Sequence, residues 1–269
     1  MTTIDSQLKK AKTSKFIQYL YKLEAEKVSG TVHVQAIIGN QKIRQGIFII
    51  KAGQLIYGGL HEPSSIDLVY QLGKKFKPSI ISVALAVAKQ KVSNQHSARE
   101  LLAMLVKMRI LTWEQAESTL EQQAVVTLEQ FYNYPCWVSL ESQTSIDLSF
   151  DYDCHGLNIT DVISKIGRRK QQWSLLKNSI TSMDIVPVLP HNVETIVTNL
   201  AVLQHLQQWV DGQKSIVDIA NSLQKDTLEI ASTYYDWASK GWVKFVHVPS
   251  DSRKRISLYQ PSHLTSIAN

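Results

Sequence analysis

Few residue pairs in this chain have the types and spacing that chemistry would need. Cys154 and His155 stand side by side as a thiol and an imidazole. A nucleophile and its base must converge in space, and sequence neighbours rarely do so, so the pair reads as loop surface. The stretch DYDCHGLNITDV opens like a calcium loop, with Asp151, Asp153 and Gly156 at the right offsets. Its fifth position is His155, where oxygen is preferred, and its twelfth is Val162, where a bidentate glutamate is needed. The eight histidines show no zinc spacing. No glycine-rich loop precedes a helix to cradle a phosphate. The expectation is a protein that is not an enzyme, with no metal and no cofactor.

The strongest cationic cluster is Lys165, Arg168, Arg169 and Lys170. It reads either as a solvated helix face or as a site for an anion or a partner. Arginine is favoured at interface hot spots because its planar fork pairs with a carboxylate in two places at once. On that ground these four residues are the candidate partner-binding site, with Arg168 and Arg169 facing an acidic protein surface; the helices between Ser79 and Tyr134 are the other candidate surface.

Composition sets the frame for these residues. The chain has 269 residues, 44% hydrophobic and 19% charged, long enough for one large domain or two modest ones. A net charge of +6 and a pI of about 9.1 allow an acidic partner, nucleic acid or an anionic membrane surface without demanding one. Two cysteines exclude a disulfide framework and fit a reducing cytoplasm. The N-terminal stretch MTTIDSQLKKAKTSK lacks the apolar core of a secretion signal. The longest apolar run, Ile80 to Ala88, is roughly half of what spans a bilayer.

The elements that must position any site begin with a meander from Ser29 to Leu60. Val32, Val34 and Ala36 alternate with polar neighbours as in a half-buried strand. Gly39-Asn40 marks a turn, Ile43 to Ile50 a second strand covered on both faces near Ile47 to Ile50, Ala52-Gly53 another turn, and Leu55 to Tyr57 a third strand. Ser14 is expected to cap a preceding helix with Phe16, Ile17, Leu20 and Leu23 on its face. A helix opened by Ser64-Ser65 should end at Gly73. Three more helices follow, over Ile80 to Val87, Ala98 to Met108, and Trp113 to Tyr132 with Thr112 as its cap. Cys136 to Leu140 then alternates as a strand that should rejoin the first sheet, leaving the helices as an insertion between neighbouring strands.

Asn158 or Thr160 caps a helix running through Val162, Ile166, Trp173 and Ile180. Pro187 and Pro190 suggest a stiff extended connector. Helices over Val193 to Val210, Ser215 to Leu223 and Thr227 to Lys240, then a strand from Trp242 to Val248, have the order of a winged helix. The third of these helices carries Glu229 and Asp236, with Asp226 at its start and Lys240 its only cation. That face would repel phosphate, which argues against nucleic acid as a partner. The tail, with Arg253-Lys254-Arg255, reads as a linker or arm.

The order of SGTVHV and GIFIIKAGQLIYGG, the helical insertion, the RRKQQW helix with its following Pro187, and WVDGQKSIVDIANSL…SKGWVKF resembles the cyanobacterial PATAN domain. The resemblance spans roughly Ser14 to Val248 and rests on several weak motifs in order. It implies a signalling domain of the kind that usually precedes a phospho-acceptor receiver in two-component response regulators. Residues 249–269 hold no receiver, so phosphorylation of this chain is not implied. Relatives of that kind regulate type IV pilus motility, phototaxis or heterocyst patterning through protein contacts, including with the pilus extension ATPase. The expectation is therefore a cytoplasmic α+β protein: an antiparallel β-meander scaffold with a helical insertion and a C-terminal winged-helix-like unit. Its parts would be a PATAN-type domain over residues 14–186 with the insertion at about 79–134, the winged-helix-like unit over 187–248, and the tail over 249–269. The alternative function is a winged-helix transcription regulator acting on DNA. The partner would be the pilus motor ATPase or another signalling protein; the sequence does not specify the oligomeric state.

Overall fold

The computed structural model describes residues 15–38, 42–142, 146–148, 156–246 and 265–267. Gly39-Asn40, Ser14, Cys154, His155 and the Arg253-Lys254-Arg255 run lie outside them. The protein is α+β, and two compact units divide it within one long helix. The first takes in residues up to Ala36, from Ile43 to Ser164, and the 265–267 segment. The second takes in Ile37–Lys42 and the described residues from Lys165 to Val246.

Helix α1 (Lys15–Ala25) buries Phe16, Ile17, Leu20 and Leu23, spaced for one face of a helix. Strands β1 (Gly30–Ile38), β2 (Lys42–Lys51) and β3 (Gln54–Gly59) form the meander. On β2, Phe48, Ile49 and Ile50 are all buried, as the unbroken apolar run predicts. The two-residue loop Ala52-Gly53 has positive φ at both positions, 50° and 80°. That is the mirror-image turn whose twist matches the strands it joins. It is held from outside: the Ala52 N–H donates to Ser29 Oγ at 2.8 Å and the Gly53 N–H to the Val28 carbonyl at 2.8 Å.

Helices α2 (Ser65–Phe76), α3 (Ile81–Lys91), α4 (Ala98–Lys107) and α5 (Trp113–Glu129) follow, then strand β4 (Cys136–Glu141). Each of three helices is capped by the residue its sequence offers: Ser64 for α2, Ser97 for α4, Thr112 for α5 in a full capping box with Gln115. Gly73 does not end α2; the helix runs on to Phe76. A side chain at Gly73 would collide with Ile81 Cδ1, so its lack of Cβ serves close packing against the start of α3.

Strand β4 rejoins the sheet, with Val32 opposite Leu140 and Ala36 opposite Cys136. The order is β3-β2-β1-β4-β7, where β7 is Thr265–Ile267 beside the start of β4. The helical block is thus not an insertion between neighbouring strands. It is a crossover from the edge strand β3, past β2 and β1, to the far side of β1. The outer edge of β3 is taken at Leu55 by a two-way bridge to Leu157, at 2.9 and 2.7 Å, and β4 pairs along the edge of β1 instead. Phe16, Phe48 and Phe131 meet with centroids 5.6 to 6.4 Å apart beneath the sheet.

Helix α6 (Ile159–Leu176) passes from the first unit into the second. The second unit contains strand β5 (Val186–Val188), helices α7 (Val193–Ile196), α8 (Leu200–Trp209), α9 (Ile216–Leu223) and α10 (Thr227–Ser239), and strand β6 (Lys244–Val246). The predicted single helix from Val193 to Val210 is two: the first ends at Ile196 with Val197 as its C-cap, and Asn199 caps the next, accepting from the Ala201 and Val202 N–H groups. Pro187 is not a bare connector: it lies in β5 opposite Phe245 of β6. A two-stranded pair tolerates the missing N–H because each strand has an unpaired edge. The core of this unit gathers Leu206, Ile216, Ile219, Ile230, Ala231 and Tyr234, with Leu176 of α6 joining it.

Candidate functional site

The four cationic residues sit on α6, which is secured at its start by two different carbonyl-bearing side chains. Asn158 Oδ1 accepts from the Asp161 N–H at 3.1 Å. Glu24, reaching from α1, accepts from the Ile159 N–H at 2.9 Å through Oε1 and from the Thr160 hydroxyl at 2.9 Å through Oε2. A carboxylate at a helix N-terminus also meets the positive end of its dipole.

The buried stripe of α6 runs Ile159, Val162, Ile163, Ile166, then Leu176. Adding three to Ile166 gives Arg169, and adding four more gives Trp173, so helical spacing places Arg169 on the inward side. Its guanidinium meets Asp226 as a fork on a carboxylate: Nη1 to Oδ2 at 2.7 Å and Nη2 to Oδ1 at 2.6 Å. The side chains are only 11% and 20% exposed. Asp226 is also the N-cap of α10, its Oδ1 accepting from the Leu228 N–H at 2.8 Å. One carboxylate therefore ties α6 to the first turn of α10.

The cluster is thereby split. Arg169, expected on an outer surface, is engaged within its own chain. Lys165 is half-buried, while Arg168 and Lys170 are exposed. Gly167, between them, has nothing within 4 Å of where a Cβ would stand. The outer surface of α6 at this level is thus Gly167, Arg168 and Lys170. The signal that separates Arg169 from Arg168 was in the sequence, as the three-residue step from Ile166; its acceptor Asp226, distant in sequence, was not.

On α10 the exposed positions include Glu229, Ser232, Asp236, Ser239 and Lys240. Glu229 pairs with Lys225 at 3.0 Å. This face offers little to a phosphate backbone.

A second feature escaped the sequence reading. A cleft of about 280 Å³ lies on the meander, lined by residues including His33, Gln35, Gln45, His61 and Glu62. His33 Nε2 lies 3.3 Å from Glu141 Oε2 across the β1–β4 pair. Among the described residues, no group of three histidine, cysteine, aspartate or glutamate side chains could hold a metal ion. Burial pushes the Cys136 thiol up to about 12, which leaves it protonated and a poor nucleophile near neutral pH. No helix among the described residues is long and apolar enough to cross a membrane.

No family model, curated protein or solved structure matches this chain.

Proposed function

We propose that this chain is a non-enzymatic, PATAN-type signalling module that works in the cytoplasm by contacting other proteins. The role would lie in control of type IV pilus motility, phototaxis or cell patterning, with the pilus extension ATPase as one partner of the implied kind. The observation that carries this reading is the coincidence of motif and element. SGTVHV falls on β1 and GIFIIKAGQLIYGG on the β2–β3 hairpin, so the stretches that bear the resemblance are consecutive strands of one antiparallel sheet. Arg168 and Lys170 are exposed on α6 and supply cationic surface.

The test is a binding isotherm against the purified extension ATPase at two salt concentrations. Arg168→Glu with Lys170→Glu is expected to weaken binding by under about 1 kcal/mol per residue, as for rim charges, and to flatten the salt dependence. No binding by the parent chain at low salt would remove the ATPase as its partner.

The three helices α8 to α10 with the β5–β6 pair keep a winged-helix transcription regulator as a second reading. Salt-sensitive, sequence-selective retardation of genomic fragments would favour it over the first. The acidic outer face of α10 predicts weak binding without sequence preference.

A further inference from the structure

Helix α3 is apolar on both sides. Its inner face buries Ile81, Ala84, Leu85 and Ala88. Its outer face carries Val83, 68% exposed, and Ile80 just before the helix, 45% exposed, together with exposed Ala86 and half-buried Val87. Ile80, Val83 and Val87 follow the spacing of a helical seam. A helix that is hydrophobic all round is ordinarily buried on every side, yet this one is covered on one. Charge along this stretch of the chain has one sign. From residue 74 to 91 the chain carries Lys74, Lys75, Lys77, Lys89 and Lys91 and no acidic residue. On a helical wheel Lys91 stands beside the seam at its C-terminal end, Lys77, whose carbonyl accepts from the Ile80 and Ile81 N–H groups, precedes its start, and Lys89 falls about 120° away from Val83.

We infer that the outer face of α3 is the docking surface for an acidic amphipathic helix of a partner protein. The inference rests on the reading that the chain acts by protein contact and names the surface and chemistry of that contact. An apolar seam with a lysine near each end, Lys77 and Lys91, is complementary to a helix whose own apolar seam has glutamate or aspartate beside it. Apolar contact supplies affinity, while the flanking charges select the sign of the partner and its orientation. A lipid surface fits less well. Interfacial helices anchor with Trp, Phe or Leu, and the exposed seam here is Ile, Val and Ala over a short helix.

The probe is a synthetic amphipathic helical peptide with a leucine seam flanked by glutamates. It is compared with the same peptide flanked by lysines and with phosphatidylserine vesicles, using the whole chain. The glutamate peptide is expected to bind at least about tenfold tighter than the lysine peptide, with affinity falling as salt rises. Val83→Glu should weaken it by about tenfold or more while circular dichroism stays unchanged, since Val83 faces solvent. Lys77→Glu with Lys91→Glu should reverse the preference between the two peptides. Equal binding of both peptides, or full binding by Val83→Glu, overturns the inference. So does binding to vesicles without binding to the glutamate peptide. Those results leave the general reading in place if the chain still binds the extension ATPase through Arg168 and Lys170; loss of both bindings removes the two together.

Discussion

Arg169 and Asp226 form a two-point ion pair, 2.6 and 2.7 Å between their polar atoms, that joins the middle of α6 to the first turn of α10. The pair is mostly shielded from solvent, so removing one partner strands the other charge. Arg169→Ala is expected to cost about 2–4 kcal/mol, measured by urea unfolding. Arg168→Ala, one residue away but exposed, should stay within about 0.5 kcal/mol. Equal effects of the two would show that the pair does not hold α10.

The β2–β3 turn should respond in opposite directions at its two positions. Gly53 sits at φ 80°, and a Cβ there would stand 2.6 Å from the Glu24 carbonyl oxygen. Gly53→Val should therefore destabilise by about 2–4 kcal/mol, from strain plus the clash. Ala52, at φ 50°, already occupies the left-handed region at a cost glycine does not bear. Ala52→Gly is expected to raise stability by about 0.5 kcal/mol after the loss of unfolded-state restriction is set against it. Thermal melts of both variants check the pair of signs.

Glu24 belongs to α1 but satisfies the start of α6. Glu24→Ala should cost about 1–2 kcal/mol by exposing two helix-end donors. Amide exchange should rise first at Ile159 and Thr160. A uniform rise across the helix would instead mean that the cap is not the point of failure.

His205 provides a pH dependence whose sign follows from its surroundings. Its Nε2 lies 3.1 Å from the Tyr234 hydroxyl and its ring meets Trp237 at 5.3 Å. Burial first, and then the Lys225 charge, hold its pKa below the usual 6.5. The unfolded chain therefore binds a proton more readily than the folded one. Above pH 6.5 the folded state has no such disadvantage; as pH falls through that value towards the lowered pKa, stability is lost. The urea midpoint should drop between pH 7.5 and pH 5.5, and His205→Gln should make that drop smaller. An identical drop in the variant would assign it to other groups.

The sequence by itself determined what depends on near neighbours. Alternation along Val32 to Ala36 set which face of β1 is buried, because side chains in a strand alternate by geometry. Thr112 with Gln115, Ser215 with Asp218, and Asn158 capped their helices as their types dictate, since capping closes within three residues. Even the inward turn of Arg169 was legible from its distance to Ile166.

Only the tertiary structure decided what depends on residues far apart in the chain. Gly73 looked like a helix stop, but the approach of Ile81 made it a packing position inside the helix. The helical block looked like an insertion, but the pairing of β4 along β1 made it a crossover. Arg169 looked like part of a binding surface until Asp226, 57 residues later, took its charge. Local periodicity says which side of an element faces inward. It does not say what waits there, because burying a charge or a glycine depends on the partner that long-range packing brings to it.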